Sequence, residues 1–312
     1  MDRKNFIKTL GALGLGAGFM GFRPLDTFAN RITDKRLVIL HTNDTHARID
    51  PFPEGSRYEG LGGAARRAAL VRNLKSSAAG TTLLLDAGDV FQGTPYFNFY
   101  GGALDFQLMS EMGYDAGTIG NHEFDNGVEG FARVAHAANF PFINSNYDFG
   151  DSPMAPYVKP NLVKRLNGIT VGIFGLGVAF ENLVLPHLHE GVDYTDPIIK
   201  ANQMVNVLRK GYDCDIIICL SHLGYSYSDD RVSDRVIAQN VDGIDLIIGG
   251  HTHTFLDEPE VFDKADGRST IVTQVGFAGI ILGSVTFEMD RRNRLTSTYA
   301  ASTRIDNSIM TG

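Results

Sequence analysis

Short apolar runs alternate along the chain with segments in which apolar residues recur every three to four positions. Continuous runs are typical of strands buried on both faces of a sheet, whereas the wider spacing is typical of helices that bury one face. The two patterns predict strands at 37–40, 81–86, 116–119, 140–144, 215–220 and 246–248, and helices at 64–75, 102–112, 128–138, 197–210 and 229–239. This alternation predicts a layered α/β fold.

The pattern changes in two places. Asn167-Gly168 is a strong hairpin signal, and it predicts that strands at 157–166 and 169–175 pair with each other. Near the end of the chain, the segments 271–275, 280–288 and 295–303 predict strands with no helix between them. We expect these late strands to be antiparallel and to belong to a second sheet.

Potential metal ligands follow five of the predicted strands. They are Asp44 and His46, Asp89, Asn121 and His122, His222, and His251 and His253. In an open α/β sheet the carboxyl ends of the strands gather ligands at one edge. Burying so many ionisable groups together is costly without a cation. Imidazole and carboxylate ligands together suit Zn²⁺, Mn²⁺ or iron, so the sequence predicts a metal centre.

The loop at residues 120–125 has two interpretations. As a capped turn, it would use Asp125 or Asn126 to cap the following helix. As a catalytic loop, it would present Asn121 and His122 to the predicted metal centre. The other four strand ends favour the second interpretation, in which Glu123 is structural.

Composition narrows the class of partner. The chain of 312 residues is 43% hydrophobic and 21% charged, as in an ordinary globular protein, and its net charge is −8. An acidic chain is a poor candidate for binding nucleic acid through its phosphates. It can still bind a small phosphate compound if metal ions supply the positive charge.

The first 29 residues are typical of an export signal. Arg3, Lys4 and Lys8 precede an apolar run at 10–22 that is too short and too glycine-rich for a stable membrane span. The basic segment resembles a twin-arginine signal with lysine in place of the second arginine, so both the Tat and Sec routes remain open. We expect export to the periplasm or outside the cell, and no stable membrane insertion. The alternative is an amphipathic helix packed on the domain.

The two cysteines predict neither a disulfide nor a thiolate metal site. Cys214 and Cys219 lie five residues apart in one predicted strand, about 16 Å at roughly 3.3 Å per residue, on opposite faces. That distance is incompatible with disulfide geometry. We expect both thiols to be reduced and to lie in the core.

Two segments resemble the signature motifs of a known family. Residues 37–46, LVILHTNDTH, and 114–125, YDAGTIGNHEFD, are similar to the two signatures of the 5′-nucleotidase family of calcineurin-like metallophosphoesterases. Gly88-Asp89, His222 and residues 250–253 complete the wider pattern, which covers roughly 36–290. The resemblance implies a four-layer α/β/β/α sandwich, with residues 30–312 as a catalytic domain that holds two divalent metal ions.

The resemblance also implies a ligand set. One metal would be bound by Asp44, His46 and His253, the other by Asn121, His222 and His251, with Asp89 between them. A carboxylate has enough lone pairs to bridge two cations. Two such metals can activate a bridging hydroxide for in-line attack at phosphorus.

His122 and Asp125 resemble the family's catalytic dyad. The imidazolium of His122 would stabilise developing charge or protonate the leaving oxygen. Asp125, three residues later, would orient the ring and raise its pKa.

The resemblance implies hydrolysis of nucleoside 5′-phosphates, although substrate recognition is left open. Family members usually carry a C-terminal domain whose aromatic residues sandwich the base, and the printed sequence has no matching segment after the catalytic motifs. We therefore expect that domain to be absent, and a separate chain that supplies it is a hypothesis. The aromatic residues at 91–100 are interpreted as core or rim.

Three other functions remain as alternatives. Two are enzymatic: a 2′,3′-cyclic nucleotide phosphodiesterase, and a hydrolase of another oxyanion ester such as a thiosulfonate. The third is a non-catalytic module that binds metal or phosphate and needs a partner chain.

Overall fold

A computed structural model describes residues 35–78 and 80–310. The predicted export signal at 1–29 lies outside these residues, so the structure does not bear on it. Within the described ranges, no helix combines the length and the apolar character that crossing a bilayer requires.

Strands and helices alternate over residues 35–143 and again over residues 197–249, and a run of strands lies between these two ranges. The strands are β1 (Lys35–Thr42), β2 (Thr81–Asp86), β3 (Ala116–Gly117), β4 (Phe142–Ile143), β5 (Tyr147–Asp148), β6 (Val158–Lys159), β7 (Asn161–Leu166), β8 (Ile169–Gly177), β9 (Asp193–Tyr194), β10 (Ile216–His222), β11 (Leu246–Gly249), β12 (Glu260–Asp263), β13 (Ser269–Thr273), β14 (Ile281–Met289) and β15 (Leu295–Arg304). The helices are α1 (Ala64–Ser77), α2 (Pro95–Tyr100), α3 (Ala103–Met112), α4 (Gly127–Ala135), α5 (Pro197–Asn206) and α6 (Asp234–Asn240).

Two large sheets contain most of the strands. The first has the order β15-β14-β1-β2-β3-β4-β6, and the second has the order β12-β13-β11-β10-β8-β7. The centre of each sheet is parallel, while β14, β15, β7 and β12 pair in antiparallel fashion towards the edges. A small ribbon of β5 and β9 stands apart.

The sheets pack face to face, and helices cover their outer faces. Leu37 and Ile39 of β1 point into the core shared by the two sheets, where they meet residues such as Ile216 and Ile218 of β10. Leu40 instead packs in the outer core that contains residues of α1, α3 and α4. Residues of α5 and α6 share a third core with the outer face of the second sheet. The predicted four-layer α/β/β/α sandwich is confirmed, and its strands are apolar on both faces because both faces are buried.

Most predicted elements are present, but the pairing of the late strands was partly wrong. Strand β13 pairs parallel with β11, although it also pairs antiparallel with β12. Strands β14 and β15 extend the first sheet beside β1, so the late strands do not form one sheet of their own. The choice of partner depends on contacts far apart in sequence, which local apolar patterns do not encode.

Two local predictions also needed correction. The strand predicted at 157–166 is interrupted at Pro160, and its halves, β6 and β7, belong to different sheets. Proline has no backbone N–H with which to continue a ladder. The helix predicted at 229–239 begins only at Asp234, because the Ser233 side chain caps it by accepting a hydrogen bond from the Val236 N–H.

The sheets approach closely at Gly175 of β8. Its carbonyl oxygen accepts a hydrogen bond from the Ser145 N–H, and a Cβ atom at this position would overlap the carbonyl oxygen of Ile143, at the end of β4. The Thr118 hydroxyl donates to that same Ile143 carbonyl. A residue without a side chain is therefore required where the backbones of the two sheets meet.

Replacing Gly175 with alanine should destabilise the fold. A backbone carbonyl cannot move aside as a flexible side chain can, so we expect a loss of about 1–3 kcal/mol in the free energy of unfolding. Denaturant unfolding of the variant measures this loss. Gly211→Ala is the matched control, because no packed atom lies within 4 Å of the position that its Cβ would take. Equal stability of both variants would contradict the close approach of the sheets.

Candidate metal centre

The predicted ligands converge in two adjacent clusters at one edge of the sandwich. Asp44, His46 and His253 form the first cluster, and Asp89, His222 and His251 form the second; within each, one ligand atom per residue lies within 4.8 Å of the others. The first sheet contributes Asp44, His46 and Asp89 through the segments after β1 and β2. The second sheet contributes the remaining histidines from β10 and from the segment after β11.

Contacts between the side chains link the clusters. His222 Nε2 lies 2.9 Å from Asp89 Oδ2 and 4.0 Å from Asp44 Oδ1. His253 Nε2 lies 3.3 Å from Asp44 Oδ1 and 2.9 Å from His46 Nε2. Residues separated by about two hundred positions are thus close enough to share a cation or a pair of cations.

The imidazole rings are oriented for binding a cation. The Nδ1 of His222 lies 2.7 Å from the Ala87 carbonyl, and the Nδ1 of His46 lies 3.0 Å from the Phe91 carbonyl. Because a carbonyl oxygen only accepts, each Nδ1 must carry the proton, which directs Nε2 towards the cluster. Burial lowers the pKa of His251 to about 4, so its ring is neutral at pH 7. Neutral imidazole is the form that binds metals.

The His222 ring shows how a cation would change protonation. Burial lowers its pKa, but the charge of Asp89 outweighs this effect and raises the pKa to about 10. A divalent cation would displace that proton, since it takes over the role of balancing the carboxylate. The donor set therefore fits a divalent metal and predicts proton release on binding.

Asn121 is placed beside the second cluster. Both of its neighbours in sequence lie close to Asp89. A Cβ atom at Gly120 would overlap Asp89 Oδ1, and the His122 N–H donates a hydrogen bond to the same oxygen at 2.8 Å. The Asn121 Oδ1 atom is buried and has no hydrogen-bond partner among the described residues. A buried acceptor without a donor is costly, so this oxygen is suited to a cation.

The backbone at the predicted ligands is unusual. Asp44, His46, Asp89, His251 and His253 all have positive φ, between 48° and 70°. For residues other than glycine, such a conformation costs on the order of 1–3 kcal/mol each and tends to occur at functional sites. These residues follow strands directly, and the left-handed turn redirects each side chain back across the strand ends.

Glu123 holds the two loops of the first sheet together. Its carboxylate accepts hydrogen bonds from the N–H groups of Asp89, Val90 and Phe91 and from that of Gly120, at 2.6–3.3 Å. Its side chain is buried, and it does not belong to either ligand cluster. These contacts support the structural role that the sequence predicted for Glu123.

Two buried amides have a similar function for the loops of the second sheet. The Gln274 amide donates to the Gly250 carbonyl at 2.6 Å and its oxygen accepts from the Thr254 N–H. Asn43 donates to Asp44 Oδ2 at 2.6 Å and accepts from the Val275 N–H at 3.0 Å. The sequence did not identify either amide, because each has a partner in a segment that is distant along the chain, Val275 for Asn43 and Gly250 for Gln274.

His122 and Asp125 are paired at the mouth of the site. His122 Nδ1 lies 2.9 Å from Asp125 Oδ2, and both side chains are about 30% exposed, at 31% and 30%. Burial lowers the pKa of His122, but the hydrogen bond to Asp125 and the charge of Asp89 raise it by more, to about 9. The ring is therefore protonated at pH 7. Cations bound by Asp89 would cancel part of this increase.

A pocket of about 200 Å³ opens beside the first cluster. It is lined by His46, His122 and His253 together with three side chains that sequence analysis did not single out, Arg48, Gln92 and Phe277. Phe277 stacks on His253, with ring centroids 5.0 Å apart and planes 9° apart. A larger cleft, of about 420 Å³, lies between α1 and α3 and contains no predicted ligand.

The aromatic residues at 91–100 divide between core and surface. Phe91 and Phe97 are buried, whereas Phe99 is 83% exposed and Tyr100 is 53% exposed. Helix α2, which the sequence did not predict, produces this division.

Both cysteines are free and buried, as predicted.

Two other histidine rings, those of His41 and His189, make packing contacts. The ring of His41 packs against Gly283 in the first sheet, and burial lowers its pKa to about 3. His189 stacks on Phe180 with ring centroids 4.2 Å apart, and Phe180 in turn packs on Phe124 behind the 120–125 loop. Neither ring belongs to a ligand cluster.

Comparison with protein families gives one match. The model of the family described as calcineurin-like phosphoesterase matches residues 37–255.

Several characterised proteins are similar to the chain. Human 5′-nucleotidase is 33% identical over 296 residues, covering 88% of this chain and 50% of the human protein. The trifunctional nucleotide phosphoesterase protein YfkN of Bacillus subtilis (strain 168) is 32% identical over 288 residues, covering 82% of this chain and 18% of that protein. The crystal structure of a 5′-nucleotidase precursor from Thermus thermophilus superposes with a TM-score of 0.77 at 31% identity, covering 88% of this chain and 55% of that one. The chain thus spans about half the length of the human and Thermus proteins, and a smaller share of YfkN.

Replacing Glu123 with glutamine should weaken the loops that carry the first sheet's ligands. An amide NH₂ group would face backbone N–H groups that now donate to a carboxylate oxygen, so we expect a loss of about 1.5–3 kcal/mol in the free energy of unfolding. Thermal or denaturant unfolding of the metal-free protein measures it. Glu129→Gln, on the exposed side of α4, is the control. Unchanged stability of Glu123→Gln would show that the carboxylate does not hold the loops.

Proposed function

Because the chain belongs to the calcineurin-like phosphoesterase family, we propose that it is a phosphoester hydrolase acting on nucleoside 5′-phosphates. The observation that carries the proposal is the presence of two adjacent ligand clusters beside the His122–Asp125 pair, with a pocket lined by His46 and His253 of the first cluster and by His122. The similarity to 5′-nucleotidases supports nucleotides as the substrate class.

We propose that the two clusters hold two divalent metal ions of the Zn, Mn or Fe type. Asp44, His46 and His253 would bind one, Asn121, His222 and His251 the other, and Asp89 would contact both. When bound, such ions supply Lewis acidity at phosphorus and lower the pKa of a water molecule. The neutral amide of Asn121 keeps the total ligand charge low, which preserves that acidity.

The chain's own residues supply the proton and the orientation. His122 is positioned to donate a proton to the leaving oxygen of the ester, because its ring lines the pocket and is protonated at neutral pH. Asp125 holds Nδ1, which leaves Nε2 free to face the substrate. Glu123, Asn43 and Gln274 keep the loops in place while the ester reacts.

Export remains a prediction for this chain, as does a separate chain that supplies base recognition. Snake venom 5′-nucleotidases are among the relatives, at 34% identity over 280 residues. Fractionation of cells that express the full chain tests export. Co-purification with a protein that raises kcat/KM for nucleotides tests the partner.

A substrate panel tests the function. Metal-reconstituted protein is assayed for phosphate release from AMP, from 2′,3′-cyclic AMP and from an aryl phosphate, and for sulfate release from a thiosulfonate. The proposal expects AMP to have the highest kcat/KM. Preference for the cyclic diester or the thiosulfonate would favour the corresponding alternative, and bound metal without turnover would favour a non-catalytic module.

His122→Ala should lower kcat by roughly 10²–10⁴-fold, the usual contribution of a general acid, while metal content stays the same. In the parent protein, kcat should fall as pH rises through the His122 pKa, because the protonated ring is lost above it. That alkaline limb should disappear in the variant. His136→Ala, on the exposed end of α4, is the control. Activity that survives His122→Ala intact would remove His122 from the reaction.

A further inference from the structure

Arg48 lines the pocket beside the first ligand cluster. The pocket of about 200 Å³ is bounded by Arg48 and Phe277 together with His46, His122 and His253. Arg48 is the only arginine or lysine among the described residues lining this pocket. It reaches the pocket because the segment after His46 turns back, with Ala47 also at positive φ.

The Arg48 guanidinium has no ion-pair partner in the described part of the chain. Its Nε atom is buried and makes no hydrogen bond there. The charge of Asp50 acts on the guanidinium, but Asp50 forms no ion pair with it and accepts a hydrogen bond from the Tyr96 hydroxyl at 2.8 Å. Arg48 as a whole is only partly buried, but its buried Nε–H lacks an acceptor, and an unpaired buried donor is costly, so the position favours an anionic ligand.

An aromatic ring sets the orientation of this cation. The Arg48 Cζ atom lies 4.2 Å from the centroid of the Phe52 ring. Stacking of this kind attracts the guanidinium to the ring face and limits its rotamers. Its planar set of N–H donors is thus held ready for two oxygens of one anion.

We propose that Arg48 binds two non-reacting oxygens of the phosphoryl group in the pocket, and the same oxygens of inorganic phosphate after hydrolysis. The inference rests on the proposed function. It gives the loop that contains Arg48 a contact with phosphate that is separate from the proposed metal ligands and from His122. Arginine suits this position because its fork of donors matches phosphate geometry, whereas lysine offers a point charge.

The binding of inorganic phosphate tests the assignment without turnover. Calorimetry on the metal-loaded protein gives the dissociation constant for the parent, Arg48→Met and Arg48→Lys. We expect it to rise roughly tenfold to hundredfold in Arg48→Met, the range of a lost charge-assisted hydrogen bond, and by less in Arg48→Lys. KM for the ester should rise in parallel, and metal content should not change.

Arg57→Met is the matched control. Arg57 belongs to the same loop region and also lies over an aromatic ring, with its Cζ 5.3 Å from the Tyr58 centroid, but it is exposed and does not line the pocket. Its phosphate affinity should equal that of the parent. Equal affinities for Arg48→Met, Arg57→Met and the parent would overturn the assignment.

A second measurement needs no variant, in case Arg48→Met folds poorly. An arginine-specific dicarbonyl reagent is applied to the metal-loaded parent with and without saturating phosphate, and modified peptides are quantified by mass spectrometry. Phosphate should slow modification of Arg48 and leave Arg57 unaffected. An unchanged rate at Arg48 would contradict the contact.

Failure of this inference is distinguishable from failure of the proposed function. If the parent hydrolyses AMP and phosphate protects nothing at Arg48, only the Arg48 contact is wrong. If the parent binds phosphate through Arg48 but hydrolyses no phosphate ester in the panel, the contact stands and the proposed reaction is wrong.

Discussion

The buried carboxylate of Asp89 is the interaction on which the site depends. It lies after a strand of the first sheet, yet it is 2.9 Å from His222 of the second sheet, and it accepts the N–H of His122 at 2.8 Å. A charge this deeply buried is stable only if neighbouring cations or donors compensate it, and the surrounding histidines are placed to do so. The sheets must meet through backbone to bring these groups together, because a Cβ at Gly88 would lie 3.0 Å from His222 Nδ1 and one at Gly250 would lie 2.8 Å from the same atom. Glycine therefore follows the strands at these positions.

Under the proposed function, three kinds of group at this edge would act on a phosphate ester in different ways. The clusters of carboxylate and imidazole suit metal ions, His122 carries a proton, and Arg48 offers a positive charge with which no described acidic side chain forms an ion pair. The acidic net charge of −8 is compatible with an anionic substrate because metal ions held by these clusters would supply positive charge at this edge.

Much of the site could be predicted because its chemistry is local in sequence. Each ligand follows a short apolar strand within a few residues, so the strand pattern and the residue types identified the candidate ligands. The pairing of His122 with Asp125 also follows from three-residue spacing. The roles of Arg48 and Gln274 could not be predicted. Arg48 forms part of the pocket wall, and Gln274 donates a hydrogen bond to Gly250, which lies twenty-four residues earlier in the chain.

The sequence by itself determined the layered α/β class, the strands buried on both faces and the types of ligand at their ends, because apolar periodicity and residue chemistry are properties of short segments. Only the tertiary structure decided that β13 lies parallel to β11 and that β14 and β15 extend the first sheet. It also decided that the two sheets bring their candidate ligand atoms within 4.8 Å of one another in each cluster. Those outcomes depend on how two sheets pack around one apolar core. That packing brings together residues that are far apart along the chain, and short sequence patterns do not encode such contacts.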